Sequence, residues 1–145
     1  ARHLGKFMPE RVAGFDLVQE LMKIAPARAI KFFLFGSAPG IADKAKLKAE
    51  TLYPGIKIVG TRNGYFKPDD EPEIISQIKS SDPDILLADE PTSDLDKKTT
   101  DSIMELFQSI RRTGIAILMT THDVRTLPCA DINLELEDGV LKRMA

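Results

Sequence analysis

Residues 85–96 read ILLADEPTSDLD, an apolar run that ends in two adjacent carboxylates, Asp89 and Glu90. A short continuous apolar run of this kind is typical of a buried parallel strand, which brings the acids that follow it to the edge of a sheet. A second apolar run, residues 115–119, ends in a polar segment that contains His122. Parallel strands end at a common edge, so we expect His122 to share that edge with the two carboxylates.

On either side of residues 85–96, short apolar runs alternate with segments in which apolar residues recur at helical spacing. Strands are predicted near residues 30–35, 56–59, 84–88 and 115–119, and helices over residues 12–24, 41–52, 70–78 and 97–112. Strands separated by single helices imply right-handed parallel crossovers with helices on both faces. We therefore expect one α/β domain over residues 1–145. Its mainly parallel sheet would be three-layered and doubly wound, of flavodoxin-like or Rossmann-like type, with the strand order 2-1-3-4-5.

The Asp138-Gly139 dipeptide predicts a C-terminal β-hairpin. We expect its strand to pair beside residues 115–119. The alternative is that the hairpin lies elsewhere and leaves a gap in the sheet that a second copy of the chain could fill.

Composition and net charge exclude several classes of protein. A chain of 145 residues with a net charge of -2 is not electrostatically suited to nucleic acid or to a membrane surface. No apolar run approaches the ~18 residues that a membrane span needs. Cys129 is the only cysteine, which suits a reducing, cytoplasmic location for a soluble protein. No partner is required by these features, although imperfect packing could favour self-association.

Residues 83–143 resemble the C-terminal half of an ABC-transporter ATPase. The resemblance implies that Asp89 is the magnesium-associated Walker B position, that Glu90 is the general base, and that His122 is the switch histidine. Such enzymes also need a phosphate-binding loop of the form G-x-x-x-x-G-K-[ST], and the sequence contains none. We therefore interpret Glu90 and His122 as relict catalytic positions and Asp89 as a weak magnesium candidate. Asp96 is expected to cap the helix that follows it.

The front of the chain resembles another family, the WecG/TagA/CpsF glycosyltransferases, in residues 9–18, 33–45, 53–61 and 63–66. The resemblance implies transfer of an N-acetylated amino sugar from a UDP-sugar to a polyprenyl-diphosphate-linked acceptor. It also places the turn of residues 36–40 near the sugar nucleotide. A helix N-terminus suits a diphosphate, so the backbone N–H groups of Gly36, Ser37, Gly40 and Ile41 are candidate donors. The alternative is a plain strand-to-helix turn that needs glycine for a positive φ.

Two families thus meet at the strand near residues 84–87. We interpret the chain as a designed or recombined chimera that joins residues 1–82 to residues 83–145. On this interpretation it has no evolved catalytic activity, is not an enzyme and needs no cofactor. One alternative is a weak nucleotide- or phosphate-binding domain that holds ATP or UDP through the glycine-containing turn and a magnesium ion on Asp89. Another is a truncated ABC-type ATP-binding subunit without Walker A.

Overall fold

The computed structural model describes residues 9–93, 95–137 and 140–144. A four-stranded parallel sheet lies at its centre, in the order β2-β1-β3-β4. The strands are β1 (Lys31–Phe35), β2 (Lys57–Arg62), β3 (Ile85–Asp89) and β4 (Ala116–Thr120). The helices are α1 (Pro9–Arg28), α2 (Ile41–Leu52), α3 (Glu71–Ser81) and α4 (Lys97–Arg111), with short 3₁₀ segments at Pro68–Asp70 and Val124–Cys129. The doubly wound α/β class is confirmed.

Each face of the sheet carries its own apolar cluster, because successive strand side chains point to opposite faces. Phe33 and Leu86 belong to the cluster that is covered by α3 and α4. Phe32 and Leu87 belong to the cluster that is covered by α1 and α2. Helices therefore lie on both faces, and the C-terminal ends of all four strands share one edge of the sheet.

Helix α4 shows how the sequence defines a local element. The Asp96 side chain accepts a hydrogen bond from the Thr99 backbone N–H at 3.0 Å, which confirms the predicted cap. That backbone hydrogen bond also lowers the pKa of Asp96. The apolar side chains recur at helical spacing, and four of them are buried against the sheet: Ile103, Leu106, Phe107 and Ile110.

The C-terminal hairpin is present, but its placement differs from the prediction. Strands β5 (Leu134–Glu137) and β6 (Val140–Arg143) pair antiparallel with each other in a separate two-stranded sheet. The expected fifth strand beside β4 is therefore absent from the parallel sheet, and β5 lies near α1 instead. The predicted Asp138-Gly139 turn lies outside the described residues. Among the residues that are described, no strand pairs with the outer side of β4.

Helix α1 also runs further than predicted. The sequence predicts this helix over residues 12–24, yet it continues through Pro26 to Arg28. Proline has no backbone N–H, so α1 lacks one intrahelical hydrogen bond at Pro26. The chain leaves the helix at Ala29, which has a φ of 54°. Within the described part of the chain, no helix is both long and apolar enough to span a membrane.

Candidate functional site

The turn between β1 and α2, residues 36–40, is here called the glycine turn. The Gly36 N–H donates to the Arg62 carbonyl at 2.9 Å, which fixes the start of the turn against the end of β2. Gly40 occupies the position before α2 with a φ of 82°, a left-handed conformation that side chains other than glycine rarely adopt. The sequence therefore folds here into a tight strand-to-helix connection at the C-terminal edge of the sheet.

The backbone donors of this turn are only partly available. The Gly36 N–H is used by Arg62, and the Ile41 N–H donates to the Ala38 carbonyl at 3.1 Å. Two of the four predicted phosphate donors therefore already have backbone acceptors, while Ser37 and Gly40 remain candidates. The amides of the first helical turn, Ala42 and Asp43, have no partner within the helix by its geometry.

A polar cavity of about 320 Å³ lies beside the turn, and we call it the glycine-turn cavity. Its lining comes from the glycine turn, the first turn of α2, the end of β2 and helix α3: Gly40, Ala42, Asp43, Thr61, Arg62, Asn63 and Gln77. The Thr61 hydroxyl donates to the Asp43 carboxylate, and Arg62 Nη1 donates to Gln77 Oε1 at 3.2 Å. Sequence reasoning missed the β2 and α3 residues, because their approach depends on the pairing of Phe35 with Arg62.

The loop after β2 packs directly on the glycine turn. The Gly64 N–H donates to the Ser37 carbonyl at 3.0 Å. A Cβ atom at Gly64 would lie 3.4 Å from the Gly36 Cα, so the two backbones approach as closely as side chains would allow. Tyr65 follows Gly64 in the sequence and is 68% exposed.

A second group of polar side chains lies at the ends of β3 and β4. The Thr120 hydroxyl donates to Asp89, which pairs with Thr120 across the two strands. Glu90 has a φ of 46°, and strained backbone of this kind is often found at functional sites. Glu90 Oε2 lies 3.0 Å from His122 Nδ1 and accepts a hydrogen bond from the Ser93 hydroxyl at 3.2 Å. The structure thus brings Glu90 and His122 into contact at the edge that the sequence predicted them to share.

Glu90, Ser93 and His122 border a cavity of about 340 Å³, which we call the acidic-edge cavity. It is lined by Glu90, Thr92, Ser93, Leu95, His122, Asp123, Val124 and Arg125. The hydrogen bond from the Arg125 side chain lowers the pKa of Asp123 to about 2. Thr92 is 3% exposed, and its hydroxyl has no hydrogen-bond partner in the described part of the chain. Asp94, which the ABC-like pattern includes, lies outside the described residues.

The three predicted features share one edge but do not form one pocket. Gly40 lines one cavity, Glu90 and His122 line the other, and Asp89 lines neither of them. Residues 9–93, 95–137 and 140–144 contain no group of three or more histidine, cysteine or acidic residues that could hold a metal ion. Binding of magnesium by Asp89 stays a prediction.

Comparison with known proteins distinguishes the two parts of the chain. Residues 1–88 match the model of the glycosyl transferase WecG/TagA/CpsF family. The chain is also 31% identical over 83 residues to an N-acetylglucosaminyldiphosphoundecaprenol N-acetyl-beta-D-mannosaminyltransferase of Bacillus spizizenii. That match covers 57% of this chain and 32% of the relative.

Shorter segments are similar to ATP-binding proteins of transport systems, which confirms the second resemblance. A lipoprotein-releasing system ATP-binding protein, LolD, of a Ruegeria species is 47% identical over 60 residues, covering 41% of this chain and 26% of the relative. A macrolide export ATP-binding/permease protein, MacB, of a Shewanella species is 41% identical over 58 residues, covering 40% of this chain and 9% of the relative. The chain therefore spans a third or less of the length of these curated relatives.

Proposed function

The chain belongs to the WecG/TagA/CpsF family of glycosyl transferases, and we propose that it binds a UDP-activated N-acetyl amino sugar for transfer to a polyprenyl-diphosphate-linked acceptor. The Bacillus spizizenii relative is an N-acetyl-beta-D-mannosaminyltransferase, which supports this substrate class. The observation that carries the proposal is the glycine turn, which opens α2 at the C-terminal edge of the sheet within the family-matched residues.

This family membership corrects the earlier interpretation. The expectation of a designed or recombined protein with no evolved activity, and not an enzyme, is wrong, because a natural enzyme family accounts for residues 1–88. The alternatives of a weak nucleotide- or phosphate-binding domain and of a truncated ABC-type subunit fit no better. A cytoplasmic location, expected from the single Cys129, stays a prediction.

The geometry of the glycine turn suits a nucleoside diphosphate. A Cβ atom built at Gly40 would meet no other atom within 4 Å, so the space above the turn is open to a ligand. The first amides of α2 point out of the helix and carry the positive end of its dipole, which favours phosphate oxygens. The pyrophosphate of a UDP-sugar would then lie over Gly40, with the sugar directed along the edge of the sheet.

The exposed ring of Tyr65 supplies a second contact for such a ligand. Its backbone N–H donates to Asn63 Oδ1 at 3.0 Å, and the preceding Gly64 is held on the glycine turn. An exposed aromatic ring close in sequence to a phosphate site is a candidate to stack on a planar base. We therefore assign the uracil to the Tyr65 side of the turn and the diphosphate to the Gly40 side.

The test compares two glycine substitutions that share the same backbone strain. Gly40 and Gly114 have φ values of 82° and 92°, and neither would bring a new Cβ within 4 Å of another atom. Of these two glycines, Gly40 lines the glycine-turn cavity and Gly114, which follows α4, does not. Gly40→Leu would therefore fill the proposed ligand space, whereas Gly114→Leu would not. Thermal unfolding of the wild type and of both variants is followed with UDP-N-acetylmannosamine, UDP-N-acetylglucosamine, UDP, Mg-ATP and no ligand.

We expect UDP compounds to raise the unfolding midpoint of the wild type and of Gly114→Leu, but not that of Gly40→Leu. A ligand at a hundred times its Kd adds about 2.7 kcal/mol to the free energy of unfolding, which is a readily measured shift. A wild type whose midpoint responds to Mg-ATP alone, or to no UDP compound, would contradict the proposed function. An equal response of the two variants would contradict the location of the site.

A further inference from the structure

The outer side of β4 is an open edge of the parallel sheet. The Ala116 N–H and the Thr120 carbonyl form hydrogen bonds with the residues that flank β3, at 3.2 Å and 2.9 Å. Backbone groups of successive strand residues point to opposite sides, so those of Ile117 and Met119 point away from β3. Within the described part of the chain, no strand takes them up. This edge is therefore able to pair with a further strand.

The two edges of the parallel sheet differ in composition. The other edge strand, β2, begins with Lys57 and ends with Arg62. Charged residues and proline on an edge strand discourage pairing with another chain. Residues 113–121, TGIAILMTT, contain neither a charged residue nor a proline. The sequence of β4 therefore carries none of these features that protect an edge from pairing.

The side chains of β4 would continue both apolar clusters into a neighbouring strand. Ile117 and Met119 pack against the cluster that α3 and α4 cover. Leu118 packs against the cluster that α1 and α2 cover. These three side chains are only half-buried and Ala116 is exposed, so a strand added beside β4 would remove further apolar surface from water.

A second copy of β4 fits this edge in an antiparallel register with a two-fold axis at Leu118. Ile117 then lies opposite the partner's Met119, and the outward backbone groups of the two residues can exchange both N–H···O bonds. The two-fold axis repeats this pair of bonds on its other side. Leu118 meets its own copy, and apolar side chains lie opposite apolar side chains on both faces of the joined sheet.

The charges at the two ends of β4 favour the antiparallel arrangement. The start of the strand is basic, because Asp131 balances Arg111 whereas Arg112 adds a further exposed cation. The end is acidic, because Asp89 and Glu90 lie there in addition to the balanced ion pair that follows the strand. Antiparallel pairing brings the basic start of one strand to the acidic end of the other, whereas parallel pairing would bring like charges together.

We propose that the outer edge of β4 is a homodimer interface, in which two copies of the chain join their parallel sheets through antiparallel β4 strands. This inference does not rest on the proposed function. Because the paired strands point in opposite directions, the C-terminal edges of the two sheets face away from each other. Each copy therefore keeps its own glycine-turn cavity and its own acidic-edge cavity.

The first measurement is the mass of the wild type by sedimentation equilibrium over a range of protein concentrations. A dimer has twice the 16.1 kDa mass of the chain. Ala116→Lys puts a charge on the edge, and because Ala116 is exposed the monomer should stay folded. Leu47→Lys is the matched control, at a side chain on α2 that is 65% exposed. Urea unfolding of each variant reports whether it is folded.

We expect the wild type and Leu47→Lys to dimerise with the same Kd. Ala116→Lys should weaken the dimer on the order of tenfold or more, because its ammonium group would lie in the apolar pairing surface. A wild type that stays monomeric up to its solubility limit would overturn the dimer and leave the edge to a strand of another protein. Equal Kd values for the two lysine variants would overturn the location of the interface.

Cysteine crosslinking tests the register. In a Cys129→Ser background, Leu118→Cys would meet its own copy at the two-fold axis, where Cα atoms about 4.5 Å apart suit a disulfide. Ala116→Cys would lie opposite the partner's Thr120 and about 14 Å from its own copy along the strands. We therefore expect Leu118→Cys, and not Ala116→Cys, to form a covalent dimer in a glutathione redox buffer.

The crosslinking results have a definite meaning in either direction. A covalent dimer of Leu118→Cys alone would support the proposed register. Failure of Leu118→Cys to crosslink, or crosslinking of Ala116→Cys instead, would overturn it. None of these outcomes bears on the response of the unfolding midpoint to UDP compounds, so the dimer and the proposed function can fail separately.

Discussion

Gly60 lies on β2 directly against the ring of Phe33, and its replacement by alanine should destabilise the protein. The two residues are paired at an irregular step of the β1–β2 ladder, where Phe32 pairs with Ile58 and Phe33 with Gly60. Phe33 is completely buried. A Cβ atom at Gly60 would lie 2.4 Å from Phe33 Cε2 and 2.7 Å from Cδ2, whereas ordinary contacts begin at 3.4 Å. The ring or the strand must therefore move by about 1 Å.

Two effects of opposite sign determine how much Gly60→Ala changes the free energy of unfolding. Alanine reduces the backbone entropy of the unfolded chain, which stabilises by about 0.4–1 kcal/mol where the native backbone tolerates it. Overpacking of a filled core costs about 1–3 kcal/mol. The clash is with a ring that is fixed in the buried cluster under α3 and α4, so we expect the cost to exceed the gain. The net loss should be about 1–2 kcal/mol, or about 3–8 °C in Tm for a chain of this size.

The assay is urea unfolding of the wild type, Gly60→Ala, Phe33→Leu and the double variant. Leucine lacks the ring atoms that the new methyl group would meet, so the two substitutions should cost less together than the sum of their separate costs. UDP binding by Gly60→Ala should also weaken, because Arg62, two residues further along the same strand, lines the glycine-turn cavity. A Gly60→Ala protein as stable as the wild type, or strictly additive costs in the cycle, would refute the reasoning.

Two further predictions concern the core and the acidic edge. Leu106→Ala should lower the free energy of unfolding by about 2–5 kcal/mol, because Leu106 is completely buried. Leu47 is 65% exposed, so the control Leu47→Ala should change stability little. Equal urea midpoints for the two variants would contradict this prediction. The pKa of Asp123 is lowered from its usual 3.8 to about 2, chiefly by Arg125, so its stabilising contribution is complete above about pH 4 and is lost as the pH falls toward 2. Asp123→Asn should therefore be less stable than the wild type at pH 7, with a difference that disappears between pH 4 and pH 2; a constant or widening difference in urea unfolding would contradict this assignment.

The candidate site could be predicted only in part. The glycine and proline residues between positions 36 and 40 indicate a turn after β1. The apolar run before Asp89 and Glu90 indicates the end of a strand. Arg62 and Gln77 gave no comparable signal, because an arginine at the end of a strand and a glutamine on a helix are ordinary surface residues. Their role depends on β2 lying beside β1 in a register that brings Arg62 opposite Phe35.

The sequence by itself determined the elements, their alternation and the doubly wound class, because these follow from local periodicity and from the handedness of parallel crossovers. The cap at Asp96 and the sheet edge that Glu90 and His122 share were also within its reach, since both follow from strand and helix ends. Only the tertiary structure decided that the predicted hairpin of β5 and β6 forms a separate sheet instead of joining β4, and that the predicted site residues are divided between two cavities. Those outcomes depend on which distant surfaces bury one another and on the register between strands, and neither quantity is encoded in the pattern of any single segment.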